Sequence, residues 1–191
     1  SKGIPFVVLF GVNKVASIDP KTLAVREYTL PDPGARPRRM AITSDDMIWY
    51  ADYPRGYLSL ANLHMRSSRF ADADKVIDQG LAALPNDFYL RLTRAGVHEL
   101  SGRIQDAIRL NEQLLKERPN SEVVANNLAS LLSDHRSDKE SLARAHEIAR
   151  RFKRSEIPQF RDTLGWTSYK TGKADEAVSL LEAATKQMPD Q

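Results

Sequence analysis

The sequence contains no cysteine among its 191 residues. Disulfide bonds, thiolate metal sites and cysteine nucleophiles are therefore excluded, whereas the compartment stays open because oxidising and reducing environments both tolerate such a chain. No apolar run reaches the roughly 18 residues that a membrane-spanning helix needs. The short apolar stretch after Lys2 is not followed by a small-residue cleavage site, so we interpret it as a strand and not as a signal peptide.

A marked excess of either charge is also absent. The formal net charge is +3, with no acidic or basic tail, and this weak basicity does not indicate nucleic-acid binding. The hydrophobic fraction of 41% suffices for a globular core. Gly-rich phosphate loops, nucleophile elbows and paired-carboxylate motifs are missing. The sequence thus predicts no catalytic residue, no cofactor and no metal site.

The first sixty residues have the pattern of short strands. Apolar, β-branched or alternating segments are separated by turn signals rich in Gly, Pro, Asp and Asn. We predict strands at residues 5–11, 14–19, 24–30, 38–44 and 47–53. A further segment, YLSL at 57–60, fits both a closing strand and the first turn of a helix. We expect helix from about Tyr57, because the repeat phase described below includes this segment.

The order of these segments resembles a known family. The stretch GVNKVASIDPKTLAVREYTLPDPGARPRRMAITSDDMIWYADYPRGYLSL is similar to blades of the streptogramin B lyase type of β-propeller, over about one and a half blades. Propellers close with about four to eight four-stranded blades. The resemblance implies catalysis by His, Glu and a divalent metal, but the first histidine is His64 and only Glu27 precedes it. It therefore implies architecture without an active site.

The remaining residues repeat with a period of 34. Each unit is predicted to contain two helices, with a small residue in the first helix, another early in the second, and a proline after it. Small side chains let antiparallel helices approach closely, and proline ends the preceding helix. The columns are Ala61, Ala95, Ala129 and Gly165; Ala73, Ala107, Ser141 and Ala177; and Pro85 and Pro119, with two residues added near 155–160.

These units resemble tetratricopeptide repeats. The clearest is DTLGWTSYKTGKADEAVSLLEAATKQMP at 162–189, and LTRAGVHELSGRIQDAIRLNEQLLKERP at 92–119 departs from the pattern by placing Arg94 where Leu is usual. The third unit lacks a turn glycine and carries Ser141 and Ile148 where Ala is usual. NNLASLL and DTLGW also resemble bacterial cell-envelope repeat proteins associated with exopolysaccharide export. The resemblance implies a solenoid that binds peptides or partner proteins on its concave wall and catalyses nothing.

Four histidines and two basic segments are candidates for other chemistry. His64 and His98 occupy equivalent positions, which suits either a two-histidine metal site or packing between helices; we favour packing because no carboxylate has matching spacing. His135 and His146 have no partner in the sequence pattern. RRFKR at 150–154 suits either phosphate binding or the negative end of a helix dipole, and we favour the dipole. PGARPRR at 33–39 is predicted to be a loop.

The repeat phase also predicts which residues line the concave wall. Asparagine amides can hold a peptide backbone, because each both donates and accepts hydrogen bonds, and Trp and Tyr are effective anchors. Packing is the other interpretation, and a further repeat or a capping helix would equally bury Trp166. The predicted wall consists of Asn62, Met65, Arg66, Tyr89, Leu92, Glu99, Asn126, Asn127, Ser130, Asp162, Trp166 and Tyr169.

The sequence as a whole predicts an α+β mosaic. Residues 1–56 form an antiparallel β segment of propeller-blade type, and residues 57–191 form an α-solenoid of about four tetratricopeptide helix pairs. We expect a non-catalytic interaction scaffold that binds a protein or peptide. The alternatives are a fragment of a propeller lyase with an accessory helical domain, and a composite chain with no single evolved function.

Partners and compartment follow from the same patterns. We expect a protein or peptide partner, no nucleic acid and no membrane span. The open edges of a β segment without enough strands allow self-association, and the oligomeric state is unknown. The sequence does not determine the compartment, although the resemblance to cell-envelope proteins favours the bacterial periplasm or cell envelope.

Overall fold

The computed structural model describes residues 4–9, 12–30, 37–42 and 48–186. The chain divides into two compact units, Ser1–Thr93 and Arg94–Gln191, each with its own internal contacts. The first unit contains the strands and the first helix pair, and the second contains most of the remaining helices. The predicted domain boundary between residues 56 and 57 stays a prediction.

Five short strands begin the described chain. The first three, β1 (Phe6–Leu9), β2 (Lys14–Ile18) and β3 (Val25–Thr29), form an antiparallel sheet in the order β1-β2-β3. The next two, β4 (Pro37–Ile42) and β5 (Ile48–Asp52), form a separate antiparallel pair. Four of the five lie within the segments predicted as strands, and β4 begins one residue before its predicted segment. Within the described residues they pair as three and two strands and do not form a four-stranded blade.

The central strand carries the buried part of the larger sheet. Val15, Ala16 and Ser17 of β2 are buried, whereas every residue of β3 is exposed. The turn between these strands is closed by Asp19, whose carboxylate accepts the backbone N–H groups of Lys21 and Thr22 at 2.8 Å each. Within the described residues, no further strand pairs with β3, so its outer edge is open.

Eight α-helices follow in the described part of the chain, in the order predicted for four helix pairs. They are α1 (Tyr53–Arg66), α2 (Phe70–Ala83), α3 (Phe88–Leu100), α4 (Ile104–Glu117), α5 (Glu122–His135), α6 (Lys139–Ala149), α7 (Pro158–Lys170) and α8 (Ala174–Thr185). A 3₁₀ helix, Arg150–Arg154, follows α6 directly. None of the helices in the described ranges combines the length and the apolar character needed to cross a lipid bilayer.

The first helix begins earlier than the sequence predicts. YLSL is helical, as expected, but α1 starts at Tyr53, which the strand pattern placed at the end of 47–53. Pro54 is compatible with this start, because the first turn of a helix does not need the N–H group that proline lacks. The change from strand to helix therefore falls between Asp52 and Tyr53.

The small-residue columns pack as predicted. Ala61, Ala95 and Ala129 are at most 1% exposed, and Ala73, Ala107 and Ala177 are also buried. Gly165 continues the first column, and a Cβ atom placed on it would lie 2.8 Å from Cγ of Leu181. Side chains larger than hydrogen do not fit there, so the close packing of α7 on α8 depends on this glycine.

Three of the four turns within helix pairs use a left-handed residue. Gly102 has φ +79° and Gly172 has φ +81°, and Ser68 takes the same position in the first pair with φ +55°. The third turn differs, as the absence of a glycine predicts: Arg136 has φ −123°. Instead, Asp138 caps α6 by accepting the backbone N–H of Ser141 at 2.8 Å.

Candidate protein-interaction surface

The predicted wall residues divide between the two units. Asn62, Met65 and Arg66 lie on α1, and Tyr89 and Leu92 lie on the part of α3 that belongs to the first unit. Asn62, Arg66 and Tyr89 are exposed, and Met65 and Leu92 are half-buried. These five residues are therefore accessible, and their role in binding stays a prediction.

The second unit carries the other seven predicted residues on three helices. Glu99 lies near the end of α3, three residues lie on α5, and three lie on α7; the six are Asn126, Asn127, Ser130, Asp162, Trp166 and Tyr169. Each of the seven is exposed or half-buried. Residues three or four positions apart share one face of a helix, so the spacing on α5 and α7 aligns these side chains in rows.

Trp166 connects two of these rows. Its indole Nε1 donates a hydrogen bond of 2.7 Å to Oδ1 of Asp134 on α5. Trp166 as a residue is 38% exposed. Its ring stacks on Tyr169, with 5.5 Å between the ring centroids, and Nζ of Lys170 lies 5.4 Å from the centroid of the indole. Trp166 is thus fixed in orientation and remains accessible.

Glu99 and Asp162 both interact electrostatically with Asp134, the hydrogen-bond partner of Trp166. Partial desolvation raises the pKa of Glu99, and so does the charge of Asp134, whereas His135 opposes these effects. Desolvation also raises the pKa of Asp162, again with a contribution from Asp134. Both side chains are largely exposed, so solvent moderates these effects. The carboxylates of α3, α5 and α7 therefore repel one another on one surface.

Polar contacts between α5 and α7 lie beside this surface. The hydroxyl groups of Ser130 and Thr163 are 3.4 Å apart, and Thr163 also donates to the backbone carbonyl of Gln159. Oδ1 of Asn126 is enclosed and has no hydrogen-bond partner in the described part of the chain. The α5 row therefore carries an acceptor that the fold does not satisfy.

Asp134 is a wall residue that the sequence prediction missed. It lies four residues after Ser130 and therefore on the same face of α5. Continuing the helical spacing by one turn would have found it. We define the acidic wall as Glu99, Asn126, Asn127, Ser130, Asp134, Asp162, Trp166 and Tyr169.

The expectation that His146 has no partner is wrong. This side chain is 6% exposed, and its Nε2 lies 2.6 Å from Nζ of Lys173 on the neighbouring helix pair. Burial lowers the pKa of His146, and the adjacent Lys173 lowers it further, so the imidazole is neutral at pH 7. The two residues are 27 positions apart, and no spacing in the sequence connects them.

The other predicted features have simpler surroundings. His64 and His98 are half-buried, and no group of three or more His, Asp or Glu side chains in the described ranges could hold a metal ion. In the basic segment 150–154, Phe152 is completely buried and packs on Phe160, with 4.9 Å between ring centroids. Of the loop predicted at 33–39, residues 33–36 lie outside the described residues, and residues 37–39 belong to β4, so the loop prediction is wrong there.

The helix pairs have recognisable relatives. Residues 58–122 match the family model described as Tetratricopeptide repeat. No curated protein matches the chain. The helical part has the tetratricopeptide-repeat fold.

Solved structures support the same fold. MamA from Desulfovibrio magneticus RS-1, residues 41 to the end, aligns with a TM-score of 0.60 and 14% identity over 74% of this chain and 78% of that one. PilW, described as a widely conserved type IV pilus biogenesis factor, aligns with a TM-score of 0.59 and 22% identity, over 71% of this chain and 62% of that one. YrrB, described as a TPR protein with an unusual peptide-binding site, aligns with a TM-score of 0.56 and 14% identity, over 72% of this chain and 70% of that one.

These comparisons agree on the fold of the helical part. The family match covers residues 58–122, and the solved structures share the tetratricopeptide-repeat arrangement of helices. Neither the family match nor these structures support the propeller-blade resemblance of residues 1–60. The alternative of a propeller lyase has no catalytic residues to support it.

Proposed function

We propose that the acidic wall of the second unit binds an extended segment of a protein partner that carries lysine or arginine side chains. The observation that carries this proposal is the accessible Trp166–Tyr169 stack, whose hydrogen-bond partner Asp134 interacts electrostatically with Asp162 and Glu99. An aromatic anchor and a negative field together suit a cationic side chain with an aliphatic stem.

Charge supports a cationic partner over an acidic one. Desolvation and mutual repulsion raise the pKa of Glu99 and of Asp162, and a cation placed between the carboxylates would relieve both. Lys170 supplies a positive charge near Trp166, but its ammonium group lies over the ring. The wall therefore keeps an excess of negative charge that a ligand could neutralise.

The aromatic pair supports an ordered binding site. Trp166 is held by its hydrogen bond to Asp134, so little side-chain entropy is lost when a ligand packs on it. Tyr169 is 60% exposed beside it and offers both a ring face and a hydroxyl group. Half-buried Asn126 and Asn127 have amides that suit the backbone of an extended segment.

Isothermal titration calorimetry at low salt would test this proposal with two short capped peptides, one alternating alanine with lysine and the other alternating alanine with glutamate. We expect the lysine peptide to bind and the glutamate peptide not to bind. Added salt should weaken the binding, because exposed charges are screened. Equal binding of the two peptides would overturn the proposal.

Variants locate the binding on the wall. Trp166→Ala should weaken binding of the lysine peptide about tenfold, as the loss of an anchor residue does. Asp162→Asn should weaken it about two- to fivefold. Glu156→Gln neutralises an exposed carboxylate outside the wall and should have no effect. If Trp166→Ala binds as tightly as Glu156→Gln, the peptide binds elsewhere.

The setting of the partner is the second part of the proposal. We propose that the protein and its partner meet in a bacterial periplasm or cell envelope. This proposal rests on the resemblance of NNLASLL and DTLGW to envelope proteins associated with exopolysaccharide export. PilW, a structural relative, is described as a pilus biogenesis factor. The absence of nucleic acid among the partners and self-association through the β edge remain predictions. Fractionation of cells that express the protein would test the compartment.

A further inference from the structure

We propose that the second unit has a separate binding site for a phosphate group, in the cavity where the end of α6 faces the start of α8. This cavity has a volume of about 1030 Å³ and opens to solvent. It shares no residue with the acidic wall, and its lining side chains differ from those of the wall in their charge.

Four cationic side chains line the cavity. They are Arg150, Arg151, Lys153 and Lys173, against the carboxylates of Glu122, Glu147 and Glu176. Glu147 is engaged by Arg150 at 2.9 Å, and Glu176 accepts a hydrogen bond from Ser168 at 3.3 Å. In the described part of the chain, no carboxylate forms an ion pair with Arg151, Lys153 or Lys173. These three charges are thus available to an anion.

Arg151 is held in place by uncharged groups. Its Nη1 donates to the backbone carbonyl of Pro119 at 2.8 Å, and its Nε donates to that of Ile148 at 3.1 Å. These bonds orient the guanidinium group and leave its charge unneutralised. Phe152 next to it is completely buried and anchors the 3₁₀ helix. The basic segment 150–154 therefore presents ordered cations, which suits its interpretation as a phosphate site.

His146 holds one of these cations, Lys173, beside the cavity. Because Nε2 faces the Lys173 ammonium group at 2.6 Å, it must accept, and the proton of the neutral ring then lies on Nδ1. This Nδ1 is buried and has no hydrogen-bond partner in the described ranges. Lys173 therefore faces an uncharged ring on this side, and its ammonium group keeps further N–H donors for an oxyanion in the cavity.

Phosphate fits this arrangement better than a carboxylate does. It offers more acceptor oxygens and a larger charge, and several cationic donors converge on the cavity. The volume also exceeds what inorganic phosphate alone fills, since pockets of roughly 300–1,000 Å³ hold small organic ligands. The source of the group is therefore either free phosphate or a small phosphate ester.

NMR titration of the whole chain with inorganic phosphate tests the site, at constant ionic strength maintained with sodium chloride. We expect saturable shifts of the imidazole nitrogens of His146 and of the backbone amides at 150–154 and 173–176. Parallel titrations with glycerol phosphate and with acetate distinguish the sources. Tighter binding of the ester assigns the site to a phosphate ester, and tighter binding of inorganic phosphate assigns it to the free ion. Acetate binding as tight as that of phosphate would overturn the proposal, as would the absence of saturable shifts.

Charge-matched variants complete the test. Lys173→Met should raise the dissociation constant for phosphate about tenfold, the loss expected for one charge-assisted hydrogen bond. Lys116→Met removes an exposed charge on α4 outside the cavity and should leave the constant unchanged. Lys153→Met removes a second cationic side chain that lines the cavity, at an exposed position. Equal affinities of all three variants would overturn the site.

Discussion

The indole Nε1 of Trp166 donates a 2.7 Å hydrogen bond to Oδ1 of Asp134, which joins the first helices of two successive repeats. The contact links residues 32 positions apart and fixes the ring of a tryptophan residue that is 38% exposed. It serves the fold by linking α5 to α7 and serves the proposed binding by orienting the ring. These two roles are separable, because a phenyl ring keeps the aromatic face and loses the donor.

A double-mutant cycle measures this hydrogen bond. Trp166→Phe removes the donor and Asp134→Ala removes the acceptor, and the coupling between them should be about 0.5–1.5 kcal/mol, the net value of one hydrogen bond. Chemical denaturation of the four proteins gives the coupling. The control cycle pairs Asp134→Ala with Tyr169→Phe and should be additive. Additivity in the first cycle would show that the bond does not contribute to stability.

A second prediction concerns the packing of α7 on α8. Gly165→Ala should lower the free energy of unfolding by about 1–3 kcal/mol, because its Cβ would meet Cγ of Leu181 at 2.8 Å. Gly56→Ala is the matched control, since a Cβ there has nothing within 4 Å. It should raise stability by about 0.5 kcal/mol through helix propensity. Thermal denaturation compares the two, and equal effects would contradict the close packing.

The helix pairs could be predicted because their signals are local. A column such as Ala61, Ala95 and Ala129 recurs at 34 residues, and the helix spacing within each unit is visible in a few residues. Strands were predicted for the same reason. Their division into sheets of three and two strands was not, because pairing joins segments distant in sequence. Likewise, Pro54 allows two interpretations, and the sequence alone placed the start of α1 too late.

The candidate sites were less predictable, for a physical reason. The repeat phase places wall residues such as Ser130 and Trp166 on one face, because this depends only on helical geometry. The bond from Trp166 to Asp134 depends on how two helices pack and on side-chain rotamers. The contact between His146 and Lys173 also depends on the packing of successive repeats. No short motif encodes such contacts, so sequence patterns could suggest the surface but not its chemistry.

The first helix pair contains a strained turn. Ser68 has φ +55° at the position where Gly102 and Gly172 stand in other repeats, and left-handed backbone costs a side-chain-bearing residue about 1–2 kcal/mol. Ser68→Gly should therefore stabilise the protein by roughly 0.5–1 kcal/mol after the entropic cost of glycine. Gly102→Ser is the reciprocal change and should destabilise it. Denaturant midpoints that move in the same direction for both would contradict this account.

The buried imidazole predicts a dependence of stability on pH. The pKa of His146 in the folded protein lies below its ordinary value of 6.5, owing to burial and then Lys173, and it is also faced by Arg150, Glu176 and Glu147. Below about pH 6.5 the unfolded chain binds more protons than the folded one, so stability falls as the pH falls from there towards the folded pKa.

His146→Gln should reduce this loss of stability on acidification. Urea denaturation at a series of values between about pH 8 and about pH 5 covers the range in which an ordinary histidine titrates. His135→Gln changes an exposed histidine and serves as the control. If the two variants lose stability on acidification to the same extent, His146 is not the group responsible.

The acidic wall should reduce stability at neutral pH. Desolvation and Asp134 raise the pKa of Asp162 above 3.8 in the folded protein, so stability falls as the pH rises through this range, and the loss is complete at pH 7. Asp162→Asn should therefore stabilise the protein at pH 7, by about 0.5 kcal/mol or less because the group is largely exposed. At about pH 3 both forms are neutral and the gain should vanish. Denaturation of both proteins at the two pH values measures this gain. An Asp162→Asn variant that is less stable than the unchanged protein at pH 7 would contradict the repulsion. A gain in stability together with weaker peptide binding is what a carboxylate kept for binding would give.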